Sequence, residues 1–216
     1  QFYGYCPRDT VLIVGDCVIR TPTVYPSRRN EWETLLHVWN GHPVYSVDDP
    51  EARFDAANIC RLGKDLLYLE SASGNRAGAK WLQKFLGDKY RVHLVKTYSG
   101  VHIDSTISPV REGLVILNSD RISPNTVPEP LQSWDKIWIG RENIVEQSYK
   151  HYPYASNYIA LNILSIRPDL VAVDPKQEYL REQLIRRGVN TVPVNLTHSR
   201  TLGGGHHCVT LDIRRG

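Results

Sequence analysis

Short apolar segments separated by polar turns rich in glycine and proline dominate the pattern along this chain. Such runs, bounded by turn residues, are typical of buried β-strands. Gly15-Asp16 separates two of them by a tight turn, which predicts an antiparallel hairpin. We predict strands at residues 10–14, 17–20, 65–69, 91–95, 102–107, 114–117, 170–173, 191–194 and 209–213.

Helical spacing of apolar residues is found in fewer segments. Residues 31–39 place four large apolar side chains on one helical face: Trp32, Leu35, Leu36 and Trp39. Further helices are predicted at residues 75–86, 156–165 and 177–187, and Gly188 ends the last of them. Residues 41–53 are predicted to form a loop.

Hairpin, helix and strand recur along the chain in that order. A doubly wound α/β sheet would instead alternate one strand with one helix. The pattern therefore favours an α+β fold made of several similar ββαβ modules. Because no composition shift marks a linker, we expect residues 1–216 to form a single catalytic domain.

Composition narrows the possible partners. The chain is 41% hydrophobic and 23% charged, which suits an ordinary buried core. The net charge of +3 is spread along the sequence, with Arg28-Arg29 and Arg214-Arg215 as the densest basic pairs, and we interpret it as solvated surface charge. A nucleic-acid footprint would cluster its charge, and no apolar run approaches the length of a membrane span. We expect no nucleic-acid or membrane partner and a cytoplasmic location.

Four cysteines, at positions 6, 17, 60 and 208, are expected to be reduced, since nothing indicates export. The chain has no methionine and begins at Gln1 directly in patterned sequence. We therefore expect further residues before Gln1.

Candidate chemistry collects at the ends of the apolar runs, in Asp9, Asp55, the pair His102/Asp104, and Cys208. On a strand, His102 and Asp104 would share one face, which sets a proton-transfer group beside a cation-binding group. Three glycines, at positions 203–205, precede Cys208 and allow backbone conformations that a Cβ forbids. They could present its thiol at the mouth of a pocket, where a nearby imidazolium would favour the thiolate.

Each of these residues taken alone also fits a structural role. Asp9 could be a turn residue, Asp55 a helix N-cap, the His102/Asp104 pair an exposed strand face, and Cys208 a small buried hydrophobe. A metal site at His206-His207-Cys208 is not expected, because adjacent residues on an extended chain face opposite ways. The glycines lack the Lys-Ser/Thr of a phosphate-binding loop.

Four segments together resemble the signature segments of the arginine:amine amidinotransferases, in the same order and over nearly the whole chain. They are Tyr5-Cys6-Pro7-Arg8-Asp9, Phe54-Asp55-Ala56-Ala57-Asn58, His102-Ile103-Asp104-Ser105-Thr106 and Leu202-Gly203-Gly204-Gly205-His206-His207-Cys208. The likeness is greatest to members of secondary metabolism, in saxitoxin, cylindrospermopsin and streptomycin pathways. It implies a pentein fold, an α/β propeller of ββαβ modules around a central active site. We expect a module that the family carries before the first segment to lie outside residues 1–216, and the stretch between Asp9 and Asp55 is shorter than in the family.

The resemblance also implies roles for individual residues. Cys208 would be the nucleophile, His102 the general acid/base and Asp55 its carboxylate partner. Asp9 and Asp104 would bind the guanidinium of an L-arginine donor. Arg121 would hold the donor's α-carboxylate, and Ser156 would lie near the same substrate. The implied reaction releases L-ornithine through an amidino-cysteine, with ping-pong kinetics and without a metal or organic cofactor.

The loop Tyr98-Ser99-Gly100-Val101 bears on the small amine acceptor. In the glycine-accepting branch of the family, the similar loop has Asn at the position of Ser99 and Met at the position of Val101. Ser99 and Val101 are smaller, which favours an acceptor larger than glycine. Our first expectation is an amino ketone of a saxitoxin-like pathway; glycine and an inosamine phosphate are alternatives. An arginine deiminase-type hydrolase and a non-catalytic pentein remain further alternatives, and the formation of a homo-oligomer is left open.

Overall fold

A computed structural model describes residues 4–39, 41–146 and 154–214. The strands in these ranges are β1 (Val11–Val14), β2 (Cys17–Arg20), β3 (Val44–Ser46), β4 (Ile59–Leu62), β5 (Asp65–Leu69), β6 (Arg91–Val95), β7 (Ile107–Arg111), β8 (Leu114–Asn118), β9 (Asp135–Ile139), β10 (Leu164–Arg167), β11 (Leu170–Val173) and β12 (Asn190–Pro193). The α-helices are α1 (Pro7–Thr10), α2 (Arg76–Leu86), α3 (Glu178–Ile185) and α4 (Ser199–Leu202). Short 3₁₀ helices lie at Pro26–Arg28, Glu31–Val38, Ala56–Asn58, Gly87–Lys89, Pro124–Thr126, Glu129–Leu131, Arg141–Asn143 and Ile159–Leu161. The helices in these ranges are too short or too polar to span a lipid bilayer.

One strand pattern is repeated in four three-stranded sheets. In each sheet two strands form an antiparallel hairpin, and the third strand pairs in parallel with the second. A parallel third strand needs a crossover from the hairpin, and α2 and α3 supply it in two of the sheets. The predicted α+β class and its recurring ββαβ modules are confirmed.

The chain divides into two compact units, and it passes between them after Ile103 and after His207. Unit 1 comprises residues 1–103 and 208–216, and unit 2 comprises residues 104–207. The expectation of a single domain stays a prediction.

Each unit has its own hydrophobic core. In unit 1, the apolar face of α2 packs on the first two sheets, with Trp81 and Leu82 against the buried rings of Phe54 and Tyr68. In unit 2, β8, β9 and β11 pack with α3 around residues such as Ile116, Ile137, Val171 and Leu180.

Helix α2 begins where the sequence predicts. Asn75 is its N-cap, and the Asn75 side chain accepts a hydrogen bond from the backbone N–H of Gly78 over 2.9 Å. Gly78 faces the core, and a Cβ at this position would lie 2.5 Å from Oη of Tyr68 and 2.7 Å from Cδ1 of Phe54. The helix can pack this closely because residue 78 has no side chain.

We expect Gly78→Ala to destabilise the protein. Overpacking a core typically costs about 1–3 kcal/mol, which offsets the ~1 kcal/mol by which alanine favours a helix over glycine. We therefore expect the midpoint of urea unfolding to fall, because the added methyl displaces Tyr68 and Phe54. The matched control is Lys80→Ala on the exposed side of the same helix, which should leave the midpoint nearly unchanged. Equal midpoints for the two variants would contradict the packing argument.

Three predicted elements are wrong. Residues 156–165 form the 3₁₀ helix Ile159–Leu161 followed by β10 rather than one buried helix, since periodicity cannot separate a short buried helix from a strand. The predicted strand at residues 209–213 is absent. Its alternating residues Leu211 and Ile213 instead pack on the apolar cluster that contains Val11 and Trp39. The alternation of apolar residues therefore arises from side-chain packing and not from hydrogen bonding to a neighbouring strand. The third is the predicted strand at residues 102–107, which contains the candidate site residues His102 and Asp104.

Two further differences lie between residues 31 and 53. The predicted loop at residues 41–53 contains β3, whose three residues are too few to show an alternating pattern and stand among glycine, proline and aspartate residues typical of a loop. Residues 31–39 form the 3₁₀ helix Glu31–Val38. Trp32 and Leu35 pack on the core as predicted, but Leu36 is exposed because a 3₁₀ turn moves it off the apolar face.

Candidate active site

His102 and Asp55 form a buried imidazole–carboxylate pair in unit 1. The ring Nε2–H donates to Oδ2 of Asp55 over 3.1 Å, and the Asp55 side chain is fully buried. Asp55 occupies the N-cap position of the helix Ala56–Asn58, but its side chain makes no cap hydrogen bond there. The predicted N-cap position is therefore confirmed, but the side chain does not cap the helix and contacts His102 instead. The backbone N–H of Ile103 donates to the Ala57 carbonyl and keeps the segment after His102 beside this helix.

Asp9 approaches the other nitrogen of the same ring. It lies in α1, and its Oδ1 is 3.7 Å from Nδ1 of His102, an ion-pair distance beyond a normal hydrogen bond. Two buried carboxylates thus flank the imidazole, one beside each ring nitrogen. A ring held in this way is suited to moving a proton to or from a reacting nitrogen.

A buried ion cluster of Arg28, Glu31 and Asp9 lies behind this arrangement. Nη1 of Arg28 donates to Oδ2 of Asp9 over 2.8 Å, and its Nε and Nη2 donate to both carboxylate oxygens of Glu31. The interpretation of Arg28 as solvated surface charge is wrong, because its side chain is only 15% exposed. The i, i+3 spacing of an arginine and a glutamate was the available signal, but it is common on exposed helices.

Cys208 belongs to the same unit as Asp9, Asp55 and His102. The Cys208 residue is 4% exposed and lies in a turn at residues 206–209 rather than at the start of a strand. Burial raises the pKa of the Tyr5 phenol, and the charge that Cys6 and Cys208 carry when they are ionised raises it further. Tyr5 therefore lies within electrostatic range of both sulfurs. None of the four cysteines is in a disulfide.

Arg8 ties the segment that follows Cys208 to α1. Its Nη2 donates to Oδ2 of Asp212 over 3.2 Å and to Oγ1 of Thr210 over 3.4 Å, and Arg61 adds a contact of 3.5 Å to Asp212. Arg8 directly precedes Asp9. These ion pairs therefore bring the chain after the candidate nucleophile to the helix that carries a candidate binding carboxylate.

The glycines before Cys208 serve two distinct purposes. Gly203 ends α4 with a positive φ of 83°, a left-handed conformation that favours glycine. At Gly205, a Cβ would lie 2.6 Å from Oδ1 of Asn162 and 2.7 Å from Cβ of Asn162. The expected backbone conformation that a Cβ would disfavour is found at Gly203, whereas a Cβ at Gly205 is excluded by the close approach of the Asn162 side chain.

Asp104 lies in unit 2 and pairs with His207, which sequence reasoning missed as a partner. Nδ1 of His207 is 2.9 Å from Oδ2 of Asp104, and the backbone N–H of His207 donates to Oδ1 of Asn162 over 3.0 Å. The predicted strand at residues 102–107 is wrong, because residues 104–106 form a turn and β7 begins at Ile107. His102 and Asp104 therefore do not share a strand face, and each has its own partner.

His206 and His207 are directed to different groups. Nε2 of His206 donates to the carbonyl of Val194 over 2.8 Å, whereas His207 contacts Asp104. Within residues 4–39, 41–146 and 154–214, no cluster of three histidine, cysteine, aspartate or glutamate side chains could hold a metal ion.

Arg121 and Ser156 are in contact in unit 2. Nη2 of Arg121 donates to Oγ of Ser156 over 3.2 Å, and Nη1 donates to Oγ of Ser105 and Oγ1 of Thr106. The Tyr158 ring lies over the guanidinium at 4.7 Å, a cation–π distance. Contacts on several sides fix the plane of this guanidinium, which suits recognition of a carboxylate.

Ser99 and Val101 lie in the loop before His102, in unit 1, and both are exposed. The Val101 carbonyl accepts hydrogen bonds from Oγ of Ser71, Oγ of Ser73 and Nδ2 of Asn58, over 2.7–3.2 Å. This backbone is fixed while its side chain faces solvent.

No family model matches the chain. Among curated proteins, it is 43% identical over 241 residues to inosamine-phosphate amidinotransferase 1 of Streptomyces griseus, covering 99% of this chain and 69% of the relative. Chain and relative therefore correspond over most of both lengths.

Two solved structures of amidinotransferases are also similar to this chain. The structure of inosamine-phosphate amidinotransferase StrB1 from Streptomyces griseus superposes with a TM-score of 0.86 at 42% identity, covering 98% of this chain and 68% of that one. SxtG, an amidinotransferase from Microseira wollei in the saxitoxin biosynthetic pathway, matches with a TM-score of 0.86 at 26% identity, covering 98% and 70%.

A hydrolase shares the fold as well. Dimethylarginine dimethylaminohydrolase from Pseudomonas aeruginosa superposes with a TM-score of 0.75 at 19% identity, covering 94% of this chain and 73% of that one. These neighbours identify the fold as that of the penteins, which confirms the expectation from the resemblance.

Proposed function

The chain belongs to the amidinotransferases, a family of transferases, and we propose that it moves the amidino group of L-arginine to a primary amine and releases L-ornithine. Cys208 carries the amidino group between the two substrates. The residue roles follow the resemblance of the sequence to the family, and the chemistry follows the geometry of unit 1.

The observation that carries the proposal is His102 between two buried carboxylates. Asp55 contacts one ring nitrogen at 3.1 Å and Asp9 approaches the other at 3.7 Å. A permanently cationic donor needs carboxylates to bind it, and its leaving amine needs a proton. This arrangement offers both groups in the unit that also contains Cys208.

In the first half-reaction, the Cys208 thiolate attacks the central guanidinium carbon. A carbon–sulfur bond forms, and the bond from that carbon to Nε of the donor arginine breaks. His102 gives its proton to the departing nitrogen, and Asp55 orients the ring while it does so. Ornithine leaves and an S-amidino-cysteine remains.

In the second half-reaction, the acceptor amine loses a proton to His102 and attacks the same carbon. The carbon–sulfur bond breaks and the thiolate is restored, so no oxidant or reductant is needed. We assign Asp104 to the donor's guanidinium, and Arg121 with Ser156 to its α-carboxylate. The fixed guanidinium plane of Arg121 and its contact with Ser156 support the latter assignment.

We propose that the acceptor is larger than glycine. The exposed Ser99 and Val101 side chains are small, which leaves room beside the loop that precedes His102. The higher identity to inosamine-phosphate amidinotransferases favours an inosamine phosphate as the first candidate. The amino ketone of a saxitoxin-like pathway, expected from the sequence, is the second, supported by the likeness to SxtG.

Intact mass spectrometry tests the first half-reaction. Mixing the protein with L-arginine alone should add the mass of an amidino group, and peptide mapping should place it on Cys208. Adding an inosamine phosphate should discharge the adduct faster than glycine does. Citrulline formed without any amine would assign the chain to hydrolysis, and neither adduct nor citrulline would indicate a non-catalytic pentein.

A further inference from the structure

The ion cluster of Arg28, Glu31 and Asp9 is more enclosed than its place in the sequence suggests. Side-chain exposure is 15% for Arg28, 2% for Glu31 and 5% for Asp9. Arg28 ends one 3₁₀ helix, and Glu31 begins the next. The short turn between them directs both side chains inward, where the guanidinium bridges two carboxylates.

Buried ion pairs contribute little net stability over apolar residues of similar size. Burial alone would lower the pKa of Arg28, but hydrogen bonds and the charges of Glu31 and Asp9 raise it above its ordinary value. The cluster therefore keeps a fixed cation against Asp9. Glu31 binds the guanidinium through two parallel hydrogen bonds, which sets its plane as well as its position.

The position of Arg28 determines how Asp9 is presented. Arg28 holds Oδ2 of Asp9 at 2.8 Å, while Oδ1 faces Nδ1 of His102 at 3.7 Å. If Arg28 were absent, the carboxylate could turn and close the remaining distance to the ring. A direct Asp9–His102 hydrogen bond would occupy the oxygen that a donor guanidinium needs.

We propose that Arg28, anchored by Glu31, is a positioning residue that fixes the Asp9 carboxylate for the donor's guanidinium and keeps it apart from His102. This inference rests on the proposed function, because it takes Asp9 as a ligand of the donor. Arg28 acts through Asp9 and has no role in bond making or breaking.

Binding of arginine, measured without turnover, tests the inference. In a Cys208→Ser background, calorimetry should give the affinities for L-arginine and for L-ornithine, which has the same α-amino acid part but no guanidinium. We expect Arg28→Met to weaken arginine roughly 10- to 100-fold, the equivalent of one or two charge-assisted hydrogen bonds. Ornithine should be weakened less, because its ammonium is a point charge that cannot make the paired hydrogen bonds of a guanidinium to a fixed carboxylate. Arg28→Lys keeps the charge but not the paired hydrogen bonds and should be intermediate.

Arg20→Met is the matched control. The Arg20 guanidinium lies 4.9 Å over the Trp32 ring and donates to the carbonyl of Arg29, so it supports the same helical segment without contacting Asp9. Its affinity for arginine should equal that of the Cys208→Ser background. If Arg28→Met does not fold, Glu31→Gln provides the second variant and should weaken arginine selectively in the same way.

Two results would overturn the inference. Unchanged arginine affinity in Arg28→Met would remove any positioning role, and equal losses for arginine and ornithine would assign Arg28 to general packing. Absence of arginine binding in the Cys208→Ser background itself would contradict the proposed function and remove the basis of the inference. If the unsubstituted protein bound arginine but formed no adduct, that result would contradict the proposed transfer reaction. The measured affinities would still decide whether Arg28 positions Asp9.

Discussion

Replacing Cys208 with alanine is expected to abolish transfer and the amidino adduct together. The proposed mechanism has no other group that can carry the amidino unit between donor and acceptor, and loss of a covalent nucleophile typically lowers turnover by roughly 10⁴-fold or more. Arginine should still bind, because the Asp9 and Asp104 carboxylates remain. The measurement is intact mass after incubation with arginine, combined with ornithine release in the presence of an acceptor.

Cys60→Ala is the control for this variant. Cys60 is also buried, at 7% exposure, but it lies in β4, and nothing in the proposed mechanism uses it. It should keep the adduct and most of the turnover. An adduct that persisted in Cys208→Ala would place the nucleophile elsewhere, and loss of the adduct in both variants would point to disturbed folding instead.

The second large effect is expected for Asp55→Asn. The substitution keeps the size of the side chain but removes the negative charge that orients the His102 ring. Removing an orienting carboxylate from such a pair lowers turnover by about 10²- to 10⁴-fold. Arginine binding should change much less. Single-turnover formation of the adduct, followed by rapid quench, measures the effect directly on the first half-reaction.

A further imidazole–carboxylate pair in unit 1 provides the matched control. Nε2 of His93 lies 2.7 Å from Oδ1 of Asp65, and Arg91 contacts the same carboxylate. Burial tends to raise the pKa of Asp65, but hydrogen bonds from His93 and Arg91 outweigh it and hold that pKa below its ordinary value. Asp65→Asn should leave the rate of adduct formation close to that of the parent. A similar loss in both variants, or no loss in Asp55→Asn, would contradict the assigned role of Asp55.

The fold could be predicted from the sequence where local signals were strong. The hairpin around Gly15 and the helix capped by Asn75 have turn and capping residues that act over a few positions, and both lie where expected. Strand β3 escaped prediction because pairing with β2 stabilises it while its residues stay exposed. The segment after Cys208 was misread for the opposite reason, since its alternation arises from packing on a cluster far away in sequence.

In the candidate site, too, some contacts could be predicted from the sequence and others could not. Asp55 and His102 could be proposed from their segments, and the structure brings them together across 47 positions of chain. His207 as the partner of Asp104, and Arg28 as the partner of Asp9, could not be predicted. Contacts between charged side chains far apart in sequence leave no periodic pattern, and an arginine pair such as Arg28-Arg29 is ordinarily solvated. The roles assigned to the site residues stay predictions until the variants are measured.

Gly205 and Asn162 limit which substitutions are tolerated beside the turn at residues 206–209, which contains Cys208. The Asn162 side chain occupies the space where a Cβ of residue 205 would lie, and its Oδ1 accepts the backbone N–H of His207. A larger residue at 205 would require a smaller one at 162, yet shortening Asn162 removes that hydrogen bond. A single substitution at either position therefore introduces a clash or removes a hydrogen bond. We expect mutations that change acceptor preference to occur at exposed positions such as Ser99 and Val101 rather than in the turn that contains Cys208.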